Sequence, residues 1–599
     1  MAESQQEPDI HLPNPIEMSQ TLIDIAQQSQ RLVTDFVKRQ ATEGTLDMKD
    51  TANISGAFLE MTQRLMANPA RLVEAQLELW QGYVDLWQRS TAAFLGQQVE
   101  PAVTPEQGDR RFKHEDWQEN FVFDYIKQAY LLTARWLQST IQRVEGLDDK
   151  TRDKLEFYTR QFVDALSPTN FPITNPEVLR STLESGGENL LNGLRNLLGD
   201  LERGKGRLNI RMTDLDAFEL GKNVATTPGK VIYQNELMQL IQYTPTTETV
   251  YKRPLMVVPP WINKYYILDL RPKNSFIKWW VDQGFTVFVL SWVNPDEKMS
   301  EKNFEDYLAR GPLTAMDKIT EVTGESEINA LGYCLGGTLL ASCQAYLAAK
   351  GDNRIQSATF MTTMLDFSKP GDLGVFIDEE QLSSLEQMME KRGYLDGSEM
   401  ATTFNMLRAN DLIWSFFVNN YLLGKDPFPF DLLYWNSDST RMPACMHSFY
   451  LRTMYQKNLL VQPGAIELLG ESIDLRKIEQ PAYFLSTIED HIAPWKSTYL
   501  GARHFSGKVR FVLGGSGHIA GAINPPTANK YGFWVNTKLP ASSEDYLASA
   551  KQQEGSWWSD WLEWIKPMAG EQVPAREPGG GKLPPLEDAP GSYVQLRIV

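Results

Sequence analysis

A run of apolar residues, Ile328 to Leu331, ends in Gly332-Tyr333-Cys334-Leu335-Gly336-Gly337, and a helix-compatible segment of small and apolar residues follows. The G-x-C-x-G spacing is that of a nucleophile elbow with cysteine in the place serine usually takes. The reason for the spacing is steric. The central residue sits on a strained strand-to-helix turn, and glycines two positions either side let backbone and helix approach closely. The turn lifts the side chain out of the sheet, and the helix N-terminus behind it favours a thiolate. The chain around Cys334 is therefore committed to strand, turn and helix in that order.

At 599 residues the chain is too long for one ordinary domain. The formal net charge of −18 argues against a general nucleic-acid binder, which carries a basic face. The three cysteines, Cys334, Cys343 and Cys445, form neither a disulfide framework nor a spaced metal cluster, which fits a reducing cytoplasm. The opening MAESQQEPDI is acidic and polar and does not read as a signal peptide. No apolar run reaches the ~18 residues of a transmembrane helix. Sixteen tryptophans imply large apolar contact surfaces, at interfaces or around a greasy substrate.

Residues 1–15 read as disordered, and residues 16–215 as a helical domain. Apolar residues there recur at helical spacing: Leu22, Ile25, Leu32 and Phe36 in one stripe, Val73, Leu77, Trp80, Val84 and Trp87 in another. No phosphate loop, metal signature or repeat interrupts them, so a packing, dimerisation or surface-association module is expected. After the linker Arg203-Gly204-Lys205-Gly206 the rhythm changes. Short apolar strands at Leu255–Val258, Phe285–Trp292, Ile328–Leu331, Ser357–Leu365, Ala482–Leu485 and Val509–Leu513 alternate with helix-compatible segments. That pattern predicts a mostly parallel sheet with helices on both faces across residues 216–599. One interval, about 366–461, lacks the alternation and is rich in aromatics. An insertion of that length between sheet strands reads as a lid. A Pro- and Gly-rich tail covers about 567–599.

A cysteine nucleophile needs a base, and the base an orienting acid; in a fold with this elbow they follow in the order nucleophile, acid, histidine. His518, in the glycine-rich loop directly after the strand ending at Leu513, is the expected base. The acid should follow the strand at 482–485, where Glu489 and Asp490 both qualify. His491 is the rival base, but adjacent side chains on an extended segment point apart. The backbone N–H of Leu335 is the first expected oxyanion donor. The second, Ile262, falls in the loop Pro259–Lys264. A thiolate exchanges readily with thioesters, since attacking and leaving groups are sulfurs of similar basicity, so the site points to an acyl thioester. Cys343 reads as a core residue of the following helix.

The segments GYCLGGT (332–338), PPWINKYYILDL (259–270), EDHIAPW (489–495), GGSGHIAGAINPP (514–526), LRANDLIW (407–414), PFDLLYWN (429–436) and EDAPGSYV (587–594) resemble the polyhydroxyalkanoate synthases. Length and the long helical start resemble their single-subunit class, which prefers short-chain monomers. The resemblance covers about 109 to the C-terminus; 1–108 match loosely. It implies an α/β-hydrolase fold behind an all-α N-terminal domain. It also implies an acyltransferase that polymerises (R)-3-hydroxyacyl-CoA and releases coenzyme A as product, with no cofactor and no metal. Cys334 would carry the chain, His518 activate it and Asp490, chosen on this resemblance, assist. Trp435 would lie at a homodimer interface, and Asn263 and Arg408 would touch coenzyme A. Trp261 departs from the family, which often has a smaller residue there, and is expected to narrow the entrance or alter the oxyanion geometry. The growing polyester, its granule surface and granule-associated proteins are the implied partners, in the cytoplasm. A thioesterase or depolymerase of the same fold, and a non-catalytic granule scaffold, are the alternatives.

Overall fold

The structure, a computed structural model, describes residues 49–106, 108–580 and 583–597. The N-terminus expected to be disordered and the stripe from Leu22 to Phe36 lie outside the described residues. The chain divides into two compact units: the described residues up to Asp214 with Asn405–Phe428, and Leu215–Phe404 with the residues from Pro429 onward.

The first unit is helical. Its main helices are Lys49–Ala67, Pro69–Phe94, Phe121–Gln142, Asp149–Ala165, Pro176–Glu184 and Glu188–Arg203. Side-chain caps start three of them, with Asn120, Asp148 and Asn175 accepting from the first free backbone N–H groups. On the helix Pro69–Phe94 the expected stripe does not face a core: Val73, Leu77, Trp80 and Trp87 are each more than half exposed. The insertion expected as one lid over 366–461 is split, because its middle belongs to this unit. Leu422 and Leu423 cluster with Val178. The Leu422 carbonyl accepts from Asn189 Nδ2 at 2.8 Å, and Tyr421 donates to the buried Asp200 carboxylate at 2.6 Å. What a segment buries assigns it, whatever its place in the sequence.

The second unit is built on an eleven-stranded sheet. Its strands are Gly229–Gln234 (β1), Met238–Tyr243 (β2), Leu255–Val258 (β3), Val287–Trp292 (β4), Ile328–Tyr333 (β5), Ile355–Met361 (β6), Ala482–Thr487 (β7), Val509–Gly514 (β8), Phe533–Val535 (β9), Lys551–Gln553 (β10) and Glu587–Asp588 (β11). They lie in the order β10-β9-β8-β7-β6-β5-β3-β4-β2-β1-β11. From β8 to β4 the pairing is parallel; both edges are antiparallel. The parallel strands are apolar without alternation because both faces are covered. In β3, Met256 and Val258 join one core cluster while Leu255 and Val257 join the other. This is the α/β-hydrolase fold. The helix after β5, Leu335–Lys350, is buried along nearly all its length, which is why it reads as small and apolar with no polar face.

The tail is integrated into the sheet. Trp557, Trp558 and Trp561 are fully buried, with Trp558 stacked on Phe276 at 4.0 Å. Each such indole contributes roughly 4–6 kcal/mol of gross transfer free energy at ~25 cal/mol per Å². Farther on, β11 pairs with β1 and extends the sheet by one strand.

Candidate active site

Cys334 follows β5 with φ 53° and ψ −124°, a backbone conformation that strains any non-glycine residue. The glycines around it are fixed by contact distance. A Cβ on Gly332 would fall 2.4 Å from the Gly337 Cα, and one on Gly336 would fall 2.1 Å from the Val258 carbonyl oxygen and 2.6 Å from the Pro259 carbonyl carbon. The first turn of the helix behind Cys334 is thereby seated directly against the loop leaving β3. Pro259 and Pro260 have no N–H, so the first amides that loop offers after β3 are those of Trp261 and Ile262. With the Leu335 amide at the helix start, they are the candidate oxyanion donors.

Cys334, Asp490 and His518 follow the carboxyl ends of β5, β7 and β8, where ligands of parallel sheets collect. His518 Nδ1 lies 2.7 Å from Asp490 Oδ2, with both side chains buried. The other oxygen of Asp490 accepts from the Ile492 and Ala493 amides at 2.9 and 2.8 Å. Glu489 is exposed, so burial and hydrogen bonding separate two carboxylates that sequence order leaves level. The Cys334 sulfur lies close enough to act on the His518 imidazole. Burial alone would push the imidazole pKa down. The Asp490 carboxylate and the Cys334 sulfur outweigh it and raise it to about 10. With Nδ1 committed to Asp490, Nε2 is the ring nitrogen left to serve the sulfur.

The other expected residues are placed differently. The indole of Trp261 is buried against Tyr307 at 4.5 Å and Trp292 at 5.4 Å and donates to Met446 Sδ, so its bulk is spent in the core. Asn263 caps its own loop: its oxygen accepts from the Lys264 amide at 2.7 Å and its nitrogen donates to the Trp435 carbonyl at 3.2 Å. Trp435 is buried within its own chain and donates Nε1–H to the Lys264 carbonyl at 2.7 Å. Arg408 belongs to the first unit and pairs with its neighbour Asp411 at 2.7 Å.

Two residues near Cys334 escape a reading of the sequence. The phenol pKa values of Tyr450 and Tyr455 are raised above the ordinary value, first by burial, with the Cys334 sulfur adding to it. Their rings meet edge-on at 5.5 Å. They are five residues apart, a spacing that a 3.6-residue period does not bring together. The chain widens to i→i+5 bonding over Leu451–Gln456, and that turn does.

The model for the poly-beta-hydroxybutyrate polymerase (PhaC) N-terminus matches residues 108–280, and that for the alpha/beta hydrolase fold matches residues 272–525. A poly(3-hydroxyalkanoate) polymerase of Methylorubrum extorquens is 52% identical over 556 residues, 91% of this chain and 92% of the relative. The chain belongs to the poly(3-hydroxyalkanoate) polymerase family. Polymerase subunits of Rhizobium meliloti (51% identical; 90% of this chain, 88% of the relative) and Cupriavidus necator (43%; 88% and 89%) place it there too. The protein is an acyltransferase on the α/β-hydrolase fold. Among the described residues no helix is long and apolar enough to cross a membrane.

Proposed function

We propose that this protein polymerises (R)-3-hydroxyacyl-CoA, with 3-hydroxybutyryl-CoA as the short-chain monomer, through an acyl thioester on Cys334. The observation that carries the proposal is Cys334 at a positive-φ elbow beside a His518 imidazole that is itself held 2.7 Å from the buried Asp490 carboxylate. His518 Nε2 takes the thiol proton and the thiolate adds to the substrate carbonyl. The oxyanion is held by the Leu335 and Ile262 amides. The bond to coenzyme A breaks, and the departing sulfur takes the proton from His518. The 3-hydroxyl of the next unit then gives its proton to His518 and attacks the acyl thioester. One ester bond forms, one thioester bond breaks and one free thiol leaves for each monomer added. Cysteine suits both halves, because exchange between thioesters is nearly balanced while attack by an alcohol runs downhill to an ester.

The product is water-insoluble, so the polymerase works on a granule surface in the cytoplasm, as a homodimer. The exposed apolar face of the helix Pro69–Phe94 supports a surface or subunit contact there. The test is free thiol release from (R)-3-hydroxybutyryl-CoA with turbidity read in parallel. Thiol release with turbidity, both lost in Cys334→Ala, is expected. Release without turbidity would make the protein a thioesterase, and no release with this or longer acyl chains would leave a scaffold.

A further inference from the structure

The loop that offers the second oxyanion donor is held from below by a buried charge that the chemistry above does not use. Lys264 lies two residues after Ile262, and its Nζ is 2.7 Å from Asp438 Oδ1 with both side chains almost fully buried. The same ammonium donates to the Val594 carbonyl at 2.8 Å and the Leu596 carbonyl at 2.9 Å. The ammonium thus gives two of its protons to backbone carbonyls and is held beside the carboxylate as an ion pair. The second oxygen of Asp438 accepts from Tyr266 at 2.9 Å. The segment that carries Asp438 is stitched to the oxyanion loop itself. The Thr440 amide donates to the Ile262 carbonyl at 3.2 Å, the Thr440 hydroxyl donates to the Trp261 carbonyl, and Asn263 and Ser439 form a β-bridge. The C-terminal residues are tied to the same segment: Arg597 lies over the Tyr434 ring at 4.5 Å and donates to the Ser437 hydroxyl at 2.6 Å.

We propose that Lys264 is a positioning residue for acyl transfer: paired with Asp438 and roofed by the carbonyls of Val594 and Leu596, it fixes the backbone of Trp261–Asn263 at the height where an amide meets the oxyanion. The C-terminal segment is thereby part of the catalytic apparatus without touching substrate. A buried ion pair of this kind contributes little to net stability against an apolar replacement, yet removing one partner strands the other. A loop displaced by a fraction of an ångström loses transition-state hydrogen bonding before it loses its fold.

The inference rests on the acyl-cysteine reading, and the test separates the two. Wild type, Lys264→Met and Asp438→Asn are compared as full-length protein in two assays: the pre-steady-state release of thiol from (R)-3-hydroxybutyryl-CoA, and the rate at which iodoacetamide alkylates Cys334. Alkylation needs the thiolate made by His518 but no oxyanion hole. Lys264→Met is expected to slow acylation about 10- to 100-fold with KM and the alkylation rate within about twofold of wild type. Asp438→Asn, which keeps an acceptor for Tyr266 and Lys264, is expected to fall between; it decides the matter if Lys264→Met does not fold. Equal losses in both assays would make the pair merely structural, and unchanged acylation would also overturn the inference. A wild type that releases no thiol, or a Cys334→Ala variant that still does, would overturn the acyl-cysteine reading itself.

Discussion

Replacing Asp490 with asparagine tests the hydrogen-bond pattern around His518, the proposed base. One carboxylate oxygen is committed to the Ile492 and Ala493 amides at 2.9 and 2.8 Å, so the asparagine oxygen takes that place and its NH2 is turned towards His518 Nδ1, 2.7 Å away in the wild type. Two donors cannot face each other. The imidazole must switch tautomer, making Nδ1 the acceptor and carrying its proton on Nε2, where it can no longer take one from Cys334. The electrostatics act in the same direction. Asp490 is the largest of the influences that raise His518 to about 10, and burial opposes it. Without the carboxylate the imidazole pKa falls towards or below its ordinary 6.5. In hydrolase triads the equivalent change lowers kcat by about 10⁴, and a loss of about 10³–10⁴ is expected here in thiol release. The alkylation rate of Cys334 should fall as well, with its pH profile displaced. A variant within about tenfold of wild type, or one with an unmoved pH profile, would refute the reasoning and return Glu489 to consideration.

Gly336→Ala brings a Cβ to 2.1 Å from the Val258 carbonyl oxygen, where ordinary contact begins at 3.4 Å, so helix and oxyanion loop must part by up to about 1.3 Å. A roughly 100-fold loss of kcat is expected, and activity within threefold of wild type would contradict the packing argument. Because the folded-state pKa of His518 is raised from 6.5 to about 10, its charge stabilises the fold fully below pH 6.5, and that contribution is lost as pH climbs through about 10. The stability gap between wild type and His518→Gln, of order a few kcal/mol, should narrow over that window in thermal melts, and a constant gap would refute the shift. Trp435→Phe removes the Nε1–H donated to the Lys264 carbonyl and should cost about 1–3 kcal/mol. Sedimentation should show an unchanged association state; dissociation with an unchanged melt would instead assign the indole to a subunit contact.

The elbow was legible because its chemistry is local: Gly332 and Gly336 are required by backbone contacts within a few residues of Cys334 or with the end of the adjacent strand. The histidine was legible because a glycine-rich loop follows the last parallel strand. Glu489 and Asp490 were not separable, since what distinguishes them is which carboxylate turns inward to the amides of Ile492 and Ala493. The edge strands β1, β2, β9, β10 and β11 escaped notice because antiparallel edges carry polar residues among apolar ones and lack the continuous runs of β3 or β5. The Lys264–Asp438 pair joins positions far apart in sequence, and nothing in either neighbourhood marks a charge that will be buried. The middle of the aromatic insertion was read with its flanks, yet Tyr421 and Leu422 find their partners at Asp200 and Val178.

The most direct test of the account is mass spectrometry of proteolytic peptides after rapid quenching with (R)-3-hydroxybutyryl-CoA. The account predicts a ladder of whole 3-hydroxybutyryl units on the peptide containing Cys334, absent from Cys334→Ala along with thiol release. An unmodified Cys334 peptide during turnover, or a ladder on Cys343 or Cys445, would contradict it.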